Sequence, residues 1–197
     1  MKQVLIDTSY KYLTVCCFED KKLVASYSKE AFKSQSEMVM VALDQVVKEA
    51  GWKPNQLEKI IVVNGPGSYT GVRIAMTIAK TLSAISDIQV ATVTSMQLIA
   101  KDKAEALVVL DARSDRVYAA LVCHGQLSKL GVYTIEEVKE LRLLHAHADL
   151  LGDGALLGET DDFYHQLDKL HAVLDVIEDV EDVDYLTPLY LKEMSAY

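Results

Sequence analysis

The residues best placed to do chemistry are a glycine-rich turn and two strand-end carboxylates. The turn is Asn64-Gly65-Pro66-Gly67-Ser68-Tyr69-Thr70-Gly71-Val72-Arg73-Ile74-Ala75. It follows Ile60-Ile61-Val62-Val63, which is short and β-branched like a buried strand. It leads into helical apolar spacing over Val72–Leu82. Gly65 and Gly67 allow positive φ and Pro66 fixes its own φ, so the chain turns sharply. Ser68 or Thr70 is placed to cap the new helix. The backbone N–H groups of such a turn could hold an anion or a partner's carboxylate.

Known phosphate-binding and nucleophile patterns do not fit this stretch. A P-loop has Gly-Lys-Ser/Thr where Gly71-Val72-Arg73 stands, and the dinucleotide fingerprint has two residues, not three, between its second and third glycines. A nucleophile elbow around Ser68 would need glycine where Pro66 stands. Two readings stay open: a turn that only packs helix against strand, or a binding turn. Arg73 favours the second, because a cation in the first turn opposes the helix dipole and calls for another partner.

Asp7 ends the apolar run Val4-Leu5-Ile6, and Asp111 ends Val108-Val109-Leu110. Ligands of open α/β folds bind beyond the carboxyl ends of strands. The two carboxylates, with Arg113, could therefore face a nucleotide or an interface. Equally, each Asp could cap its own turn. Thr8-Ser9-Tyr10 contains no glycine and is poorly suited to wrapping a phosphate. His145 and His147 would point different ways on a helix, and no third ligand lies at metal spacing. No metal site is expected. The other histidines are His124, His165 and His171, so a nucleophile in the first half would lack its usual base.

The elements that must position these groups alternate as in an α/β protein. Val4–Asp7, Tyr12–Phe18 and Leu23–Tyr27 read as strands, the last two joined by the charged turn Glu19-Asp20-Lys21-Lys22. Ser34-Gln35-Ser36-Glu37 reads as a capping box opening a helix to about Ala50, with Gly51 as its left-handed stop. Ile88–Val93 is a further strand and Ser95–Ala100 a short helix. Val4–Val15 then aligns without gaps on Val108–Ala119, an internal repeat that points to two related α/β domains. The expected domains are residues 1–101 and 102–197. In the second, a strand near Leu130–Tyr133 precedes a helix opened by a Thr134/Glu137 capping box. Leu151–Leu157 reads as a turn around a strand, Asp161–Leu170 as a helix, Glu178–Asp184 as a solvated acidic loop and Thr187–Lys192 as an extended end.

With 20 Lys and Arg against 29 Asp and Glu, the net charge is −9. Binding to a nucleic-acid backbone by this chain alone is not expected. No apolar run approaches the length of a membrane span, and the N-terminus reaches Asp7 too soon for a signal peptide. The three cysteines, Cys16, Cys17 and Cys123, include no C-x-x-C pair. A cytoplasmic setting is expected. The two long helices carry more apolar surface than one core needs. Met38, Met40, Val41 and Val47 widen the stripe Val39-Ala42-Leu43-Val46-Ala50. Ile74, Ile78 and Ile85 form a second face beside Val72-Ala75-Met76-Ala79-Leu82. A helix apolar on two sides is buried on two sides, either within a three-layer domain or by another molecule.

Taken together, these motifs resemble the TsaB (YeaZ) family, the partner subunit in bacterial tRNA threonylcarbamoyladenosine synthesis. The resemblance rests on Ile6-Asp7-Thr8-Ser9, Ser34-Gln35-Ser36-Glu37, the Gly65–Ala75 turn, Asp111-Ala112-Arg113, Gly152-Asp153-Gly154 and Pro188-Leu189-Tyr190-Leu191-Lys192. It implies an α/β fold of the actin/Hsp70/sugar-kinase class, two ribonuclease H-like domains. It also implies a non-catalytic scaffold that binds and activates a TsaD-like threonylcarbamoyltransferase acting on adenosine 37 of tRNAs reading ANN codons. The implied partner-binding residues are Met38, Val41, Gln45, Ile74, Ile78, Leu82 and Ile85. The motif turn contributes Gly65, Gly67, Ser68, Thr70, Gly71 and Arg73.

The family's further partners are a TsaE-like ATPase, a second copy when the chain is alone, and tRNA only through the complex. No cofactor of its own is implied, with ATP or ADP at the complex. TsaD's metal-binding helix corresponds to Ser34–Ala50, which here has no histidine, so catalysis is not expected. Two departures stand out. Tyr69 replaces the commoner Phe, and the acidic Asp175–Asp184 stands where members usually carry a helix, which implies a reduced second domain. The alternative reading is an autonomous peptidase or nucleotide hydrolase using Ser68, Asp7 or Asp111.

Overall fold

The computed structural model describes residues 1–31, 34–163 and 167–191. His165 and Lys192, and part of the helix expected over Asp161–Leu170, lie outside the described residues. The chain divides into two units, one of 1–94 with 177–189, the other of 95–176 with the chain from Tyr190. Two features differ from a single boundary near residue 101. Ser95–Ala100 contributes Met96 and Ala100, both fully buried, to the second unit. The segment 177–189 returns to the first.

The first unit is built on β1 (Lys2–Asp7), β2 (Tyr12–Glu19), β3 (Lys22–Glu30), α1 (Gln35–Glu49), β4 (Lys59–Val63), α2 (Tyr69–Ala84) and β5 (Gln89–Val93). β1, β2 and β3 form an antiparallel meander, and β4 and β5 extend it in parallel on the other side of β1. The β2–β3 turn places Asp20 and Lys21 at φ 49° and 66°, the paired left-handed residues of a two-residue hairpin. Every residue of β4 is buried, as befits a central parallel strand. Val4, Ile6, Leu13, Val15, Ile60 and Val62 meet Val39, Leu43 and Val46 of α1 and Val72, Ala75, Met76 and Ala79 of α2.

Helix α1 ends as its sequence implies. Gly51 has φ 71°, its N–H donates to Lys48 O, and Trp52 N–H donates to Val47 O, a Schellman closure. Its start does not. The Ser34/Glu37 capping box is not formed: Ser34 Oγ donates to Ala31 O at 3.1 Å and contacts Met38 Sδ at 3.6 Å. The Ala31 carbonyl takes the hydroxyl before the helix can use it.

The acidic run is not a free loop. Glu178–Asp179 form β10, the outer strand beside β5, and Val180 N–H donates to Val90 O. Asp179 pairs at 2.5 Å with Lys59, whose side chain is only 7% exposed. Lys80 Nζ donates to Asp184 O, Leu186 is buried in the core, and Leu189 N–H donates to Asn64 O. The segment thus straps the edge of the sheet and reaches the residue that opens the Gly65–Gly71 turn.

The second unit contains α3 (Ser95–Ala100), β6 (Glu105–Arg113), β7 (Arg116–Cys123), β8 (Gln126–Thr134), α4 (Ile135–Leu144) and β9 (Asp149–Gly152), with sheet order β8-β7-β6-β9. α4 carries the expected Thr134/Glu137 capping box and inserts Val138 among Leu107, Val109, Val117, Ala119 and Leu121. Leu151–Leu157 is the end of β9 and then a 3-10 turn. Leu167–Asp175 is also a 3-10 segment, and Asp162 instead bridges Gly152. After α3, three antiparallel strands are followed by α4 and one parallel strand, a shorter version of the first unit.

The repeat holds in topology but slips in register. Asp7 pairs with Thr14, whereas Asp111 pairs with Val117, one residue short of the gapless match. Val4 and Ile6 face the helices of their unit, and Leu107 and Val109, not Val108 and Leu110, face α4. A register irregularity between Asp111 and Arg113 takes up the difference. Among the described residues no helix is long and apolar enough to cross a membrane.

Candidate partner-binding face

The Gly65–Gly71 turn seats the first turn of α2 directly on the end of β1. Thr8 Oγ1 donates to Gly71 O at 2.6 Å, and Ser68 N–H donates to Ser9 O at 2.7 Å. A Cβ on Gly71 would run into the Thr8 carbonyl oxygen, and one on Gly67 into that of Ser9. Glycine is required here by close approach of two backbones. The Gly65–Pro66 peptide is cis. Ser68, not Thr70, is the N-cap, its Oγ accepting from Gly71 N–H at 3.1 Å.

One turn further on, the Arg73 guanidinium stacks 4.0 Å from the centre of the Tyr69 ring. Both side chains line a cleft of about 460 Å³ between α1 and α2, with Met40, Val39, Ile74 and Ile78 as its apolar wall and Ser36, Thr70 and Thr77 at its polar margin.

Around this cleft the residues fall into two groups. Met38, Ile74, Ile78 and Leu82 are half-buried and pack against the core as well as facing outward. Val41, Met40 and Ile85 are 68%, 51% and 77% exposed, and Gln45 is exposed with its amide bonded to Glu49. Of the apolar surface that the sequence showed in excess, Met40, Val41 and Ile85 lie outside the core, whereas Val47 is buried within it because its side of α1 faces the sheet. Sequence reasoning undervalued Met40 and missed Tyr69, Ser36 and Thr77. Residues 36 and 40 stand one helical turn apart on α1, as do 69, 73 and 77 on α2, which was the available signal.

The remaining candidates serve their own turns. Asp7 Oδ1 accepts from Ser9 N–H at 2.7 Å. Asp111 Oδ1 accepts from Arg113 N–H at 2.8 Å, its Oδ2 pairs with the Arg113 guanidinium at 3.2 Å, and its N–H donates to the buried Asp153 carboxylate at 2.9 Å. Asp153 was legible only as the centre of Gly152-Asp153-Gly154. The buried Cys17 thiol is pushed up to about 12 by desolvation and stays protonated. In the second unit His145 and His147 both bond Glu105, through Oε1 at 3.3 Å and Oε2 at 2.8 Å. The His147 bond chiefly, aided by His145, holds the Glu105 carboxyl below its ordinary range against desolvation.

Comparison with known proteins places this architecture. A solved Pseudomonas aeruginosa protein described as having similarity to peptidase YEAZ superposes with a TM-score of 0.82 at 20% identity, covering 97% of this chain and 99% of that one. A second solved P. aeruginosa structure, YeaZ, gives 0.78 at 18% identity, covering 96% and 99%. The fold is that of the actin/Hsp70/sugar-kinase class, two ribonuclease H-like units with the second reduced.

Residues 25–141 match the family described as TsaD: tRNA N6-adenosine threonylcarbamoyltransferase. The tRNA threonylcarbamoyladenosine biosynthesis protein TsaB of Bacillus subtilis (strain 168) is 35% identical over 125 residues, 61% of this chain and 55% of that protein. The chain belongs to the TsaD family and, within it, to the TsaB (YeaZ) group. It spans about half the length of the first curated relatives it matches.

Proposed function

We propose that this chain acts in tRNA threonylcarbamoyladenosine formation as a non-catalytic subunit that docks on, and activates, a TsaD-like transferase. One observation carries the reading: α1 and α2 present Met40, Val41 and Ile85 to solvent, and Met40 lines a cleft also walled by Ile74 and Ile78. Exposed apolar area of this kind, rimmed by polar side chains, marks a protein–protein surface. Arg73, held against Tyr69, supplies the polar anchor such interfaces favour. The names of the relatives support the pathway.

In this reading the transferase carries the chemistry at adenosine 37 of tRNAs reading ANN codons. A TsaE-like ATPase, ATP or ADP, and tRNA are met through the complex, and two copies of this chain cover the same helices when the transferase is absent. The acidic balance suits a subunit that leaves RNA contact to its partner. A peptidase reading has no support from Ser68, whose hydroxyl is the α2 cap, in a sequence half without histidine.

The test is co-purification of tagged chain with the TsaD-like protein of its own host, beside a Val41→Asp variant. Near-equal recovery that Val41→Asp abolishes, with the variant still folded, supports the reading. Undiminished recovery with Val41→Asp removes the helices as the interface. Absence of the transferase from both preparations removes the proposal.

A further inference from the structure

The two helices of the docking face differ in charge. α1 carries Glu37, Asp44 and Glu49 against a single Lys48, which pairs with Asp44 at 2.7 Å. α2 carries no acidic residue, and its cations are Arg73 and Lys80. Lys80 Nζ donates to Asp184 O and so holds the strap. Arg73 stands two turns earlier, exposed, and lines the cleft.

The setting of Arg73 decides what it can hold. It lies one turn beyond the first residue of α2, near the positive end that the helix backbone creates. The Tyr69 ring supports the guanidinium from one face, 4.0 Å away. Stacking uses none of the N–H donors, which lie in the plane of the group in a fork that matches a carboxylate. Along the cleft from Arg73, Ile74 and Ile78 stand one helical turn apart, with Met40 on the α1 side. The cleft therefore has a cationic end and an apolar wall that repeats at helical pitch.

We propose that the cleft receives a helix of the transferase partner that presents a carboxylate to Arg73 and, one turn along, an apolar side chain to Met40, Ile74 and Ile78. The inference rests on the docking reading and names the chemistry of the segment that docks. A helix suits the cleft because side chains four residues apart on one face match a wall with one-turn spacing. A carboxylate suits Arg73 because α2 brings no acidic residue to it, while the helix dipole adds to its field. The pair is charge-assisted and bidentate. Tyr69 fixes the guanidinium before the partner arrives, which lowers the cost of ordering it. The same group discriminates: a helix with Lys or Arg at that position meets like charge and is rejected.

The experiment measures by calorimetry the affinity of the full chain for the purified TsaD-like protein of its host, at low and high salt. Arg73→Gln, Arg73→Lys, Tyr69→Phe and Val41→Asp are run beside wild type, with urea unfolding to verify that each variant folds. Arg73→Gln is expected to bind about tenfold or more weakly and with less dependence on salt. Arg73→Lys recovers part of the loss, and Tyr69→Phe, which keeps the ring, binds as wild type. Arg73→Glu abolishes binding, and one acidic-to-arginine change in a helix of the transferase restores it. Val41→Asp separates the two claims. If it fails to bind while Arg73→Gln matches wild type in affinity and salt dependence, the docking face stands and the carboxylate anchor is overturned. If both bind as wild type, the docking reading falls and this inference with it. A loss in Arg73→Gln with no restoring change in the transferase would mean that Arg73 acts within its own chain, which also overturns the anchor.

Discussion

Thr8 and Gly71 hold each other from both ends of their peptides. The Thr8 hydroxyl donates to the Gly71 carbonyl at 2.6 Å, and the Thr8 carbonyl fills the space where a side chain on residue 71 would stand. This contact fixes where α2 leaves the sheet, and with it the positions of Tyr69 and Arg73.

Gly71→Ala therefore destabilises the protein by about 1–3 kcal/mol, the range for overpacking a rigid site. Urea unfolding measures it. An unchanged midpoint would mean that the strand end and the helix start are free to separate. Thr8→Val, which keeps the shape and loses the donor, costs roughly 1 kcal/mol through the lost hydrogen bond to the Gly71 carbonyl.

Substitutions on the docking face separate binding from folding. Met40→Glu and Val41→Asp leave the unfolding midpoint within about 0.5 kcal/mol of wild type, as exposed positions do, and abolish partner recovery. Ile78→Asp loses both, because Ile78 also packs on the core. Gel filtration with thermal unfolding distinguishes the three. A folded Ile78→Asp protein would show that the cleft wall is not part of the core.

The strap is read through its ion pair. Asp179→Asn leaves the nearly buried Lys59 ammonium without its carboxylate, whereas Lys59→Met removes the charge altogether. Asp179→Asn is the more destabilising, by about 1 kcal/mol or more, since an orphaned buried charge costs more than its replacement by an apolar chain. The reverse order in urea unfolding would place Lys59 in contact with water.

The Thr134/Glu137 box supplies a pH dependence. Bonds from the Thr134 backbone N–H and then its hydroxyl hold the Glu137 carboxyl below its ordinary range. A carboxyl depressed in the folded state stabilises it above the ordinary carboxyl pKa and ceases to do so as pH falls through the folded value. The stability difference between wild type and Glu137→Gln is therefore present near neutral pH and shrinks from about pH 5 downward. A difference that stays constant into acid would mean the carboxylate contributes nothing to the cap.

Much of this was legible because local chemistry and packing agreed. Ser95–Ala100 is a helix as read, Gly51 stops α1, and Thr134 with Glu137 closes its box. The excess apolar surface of α1 and α2 was visible as a stripe too wide for one core. Other features lay beyond spacing. Ser34 and Glu37 have the residues of a box, but the Ala31 carbonyl competes for the Ser34 hydroxyl. β10 is acidic and joins β5 through its backbone, so no hydrophobic pattern announced it. Glu105 meets His145 and His147 across 40 residues of chain, a distance that no local motif spans.

The strap also bears on how the protein can be divided. Because residues 177–189 complete the unit begun by residues 1–94, the main part of the second unit, residues 95–176, is, in chain terms, an insertion between two parts of the first. A single cut near residue 94 severs β5 from the strand that covers its edge and takes Leu186 from the core. The bared β5 would then present its unpaired amides and carbonyls to any neighbour, a template for aggregation. A separable first unit needs both pieces, for example residues 1–94 joined by a short linker to 177–189. Evolution, by the same logic, could shorten the inserted unit while the first kept both its edges.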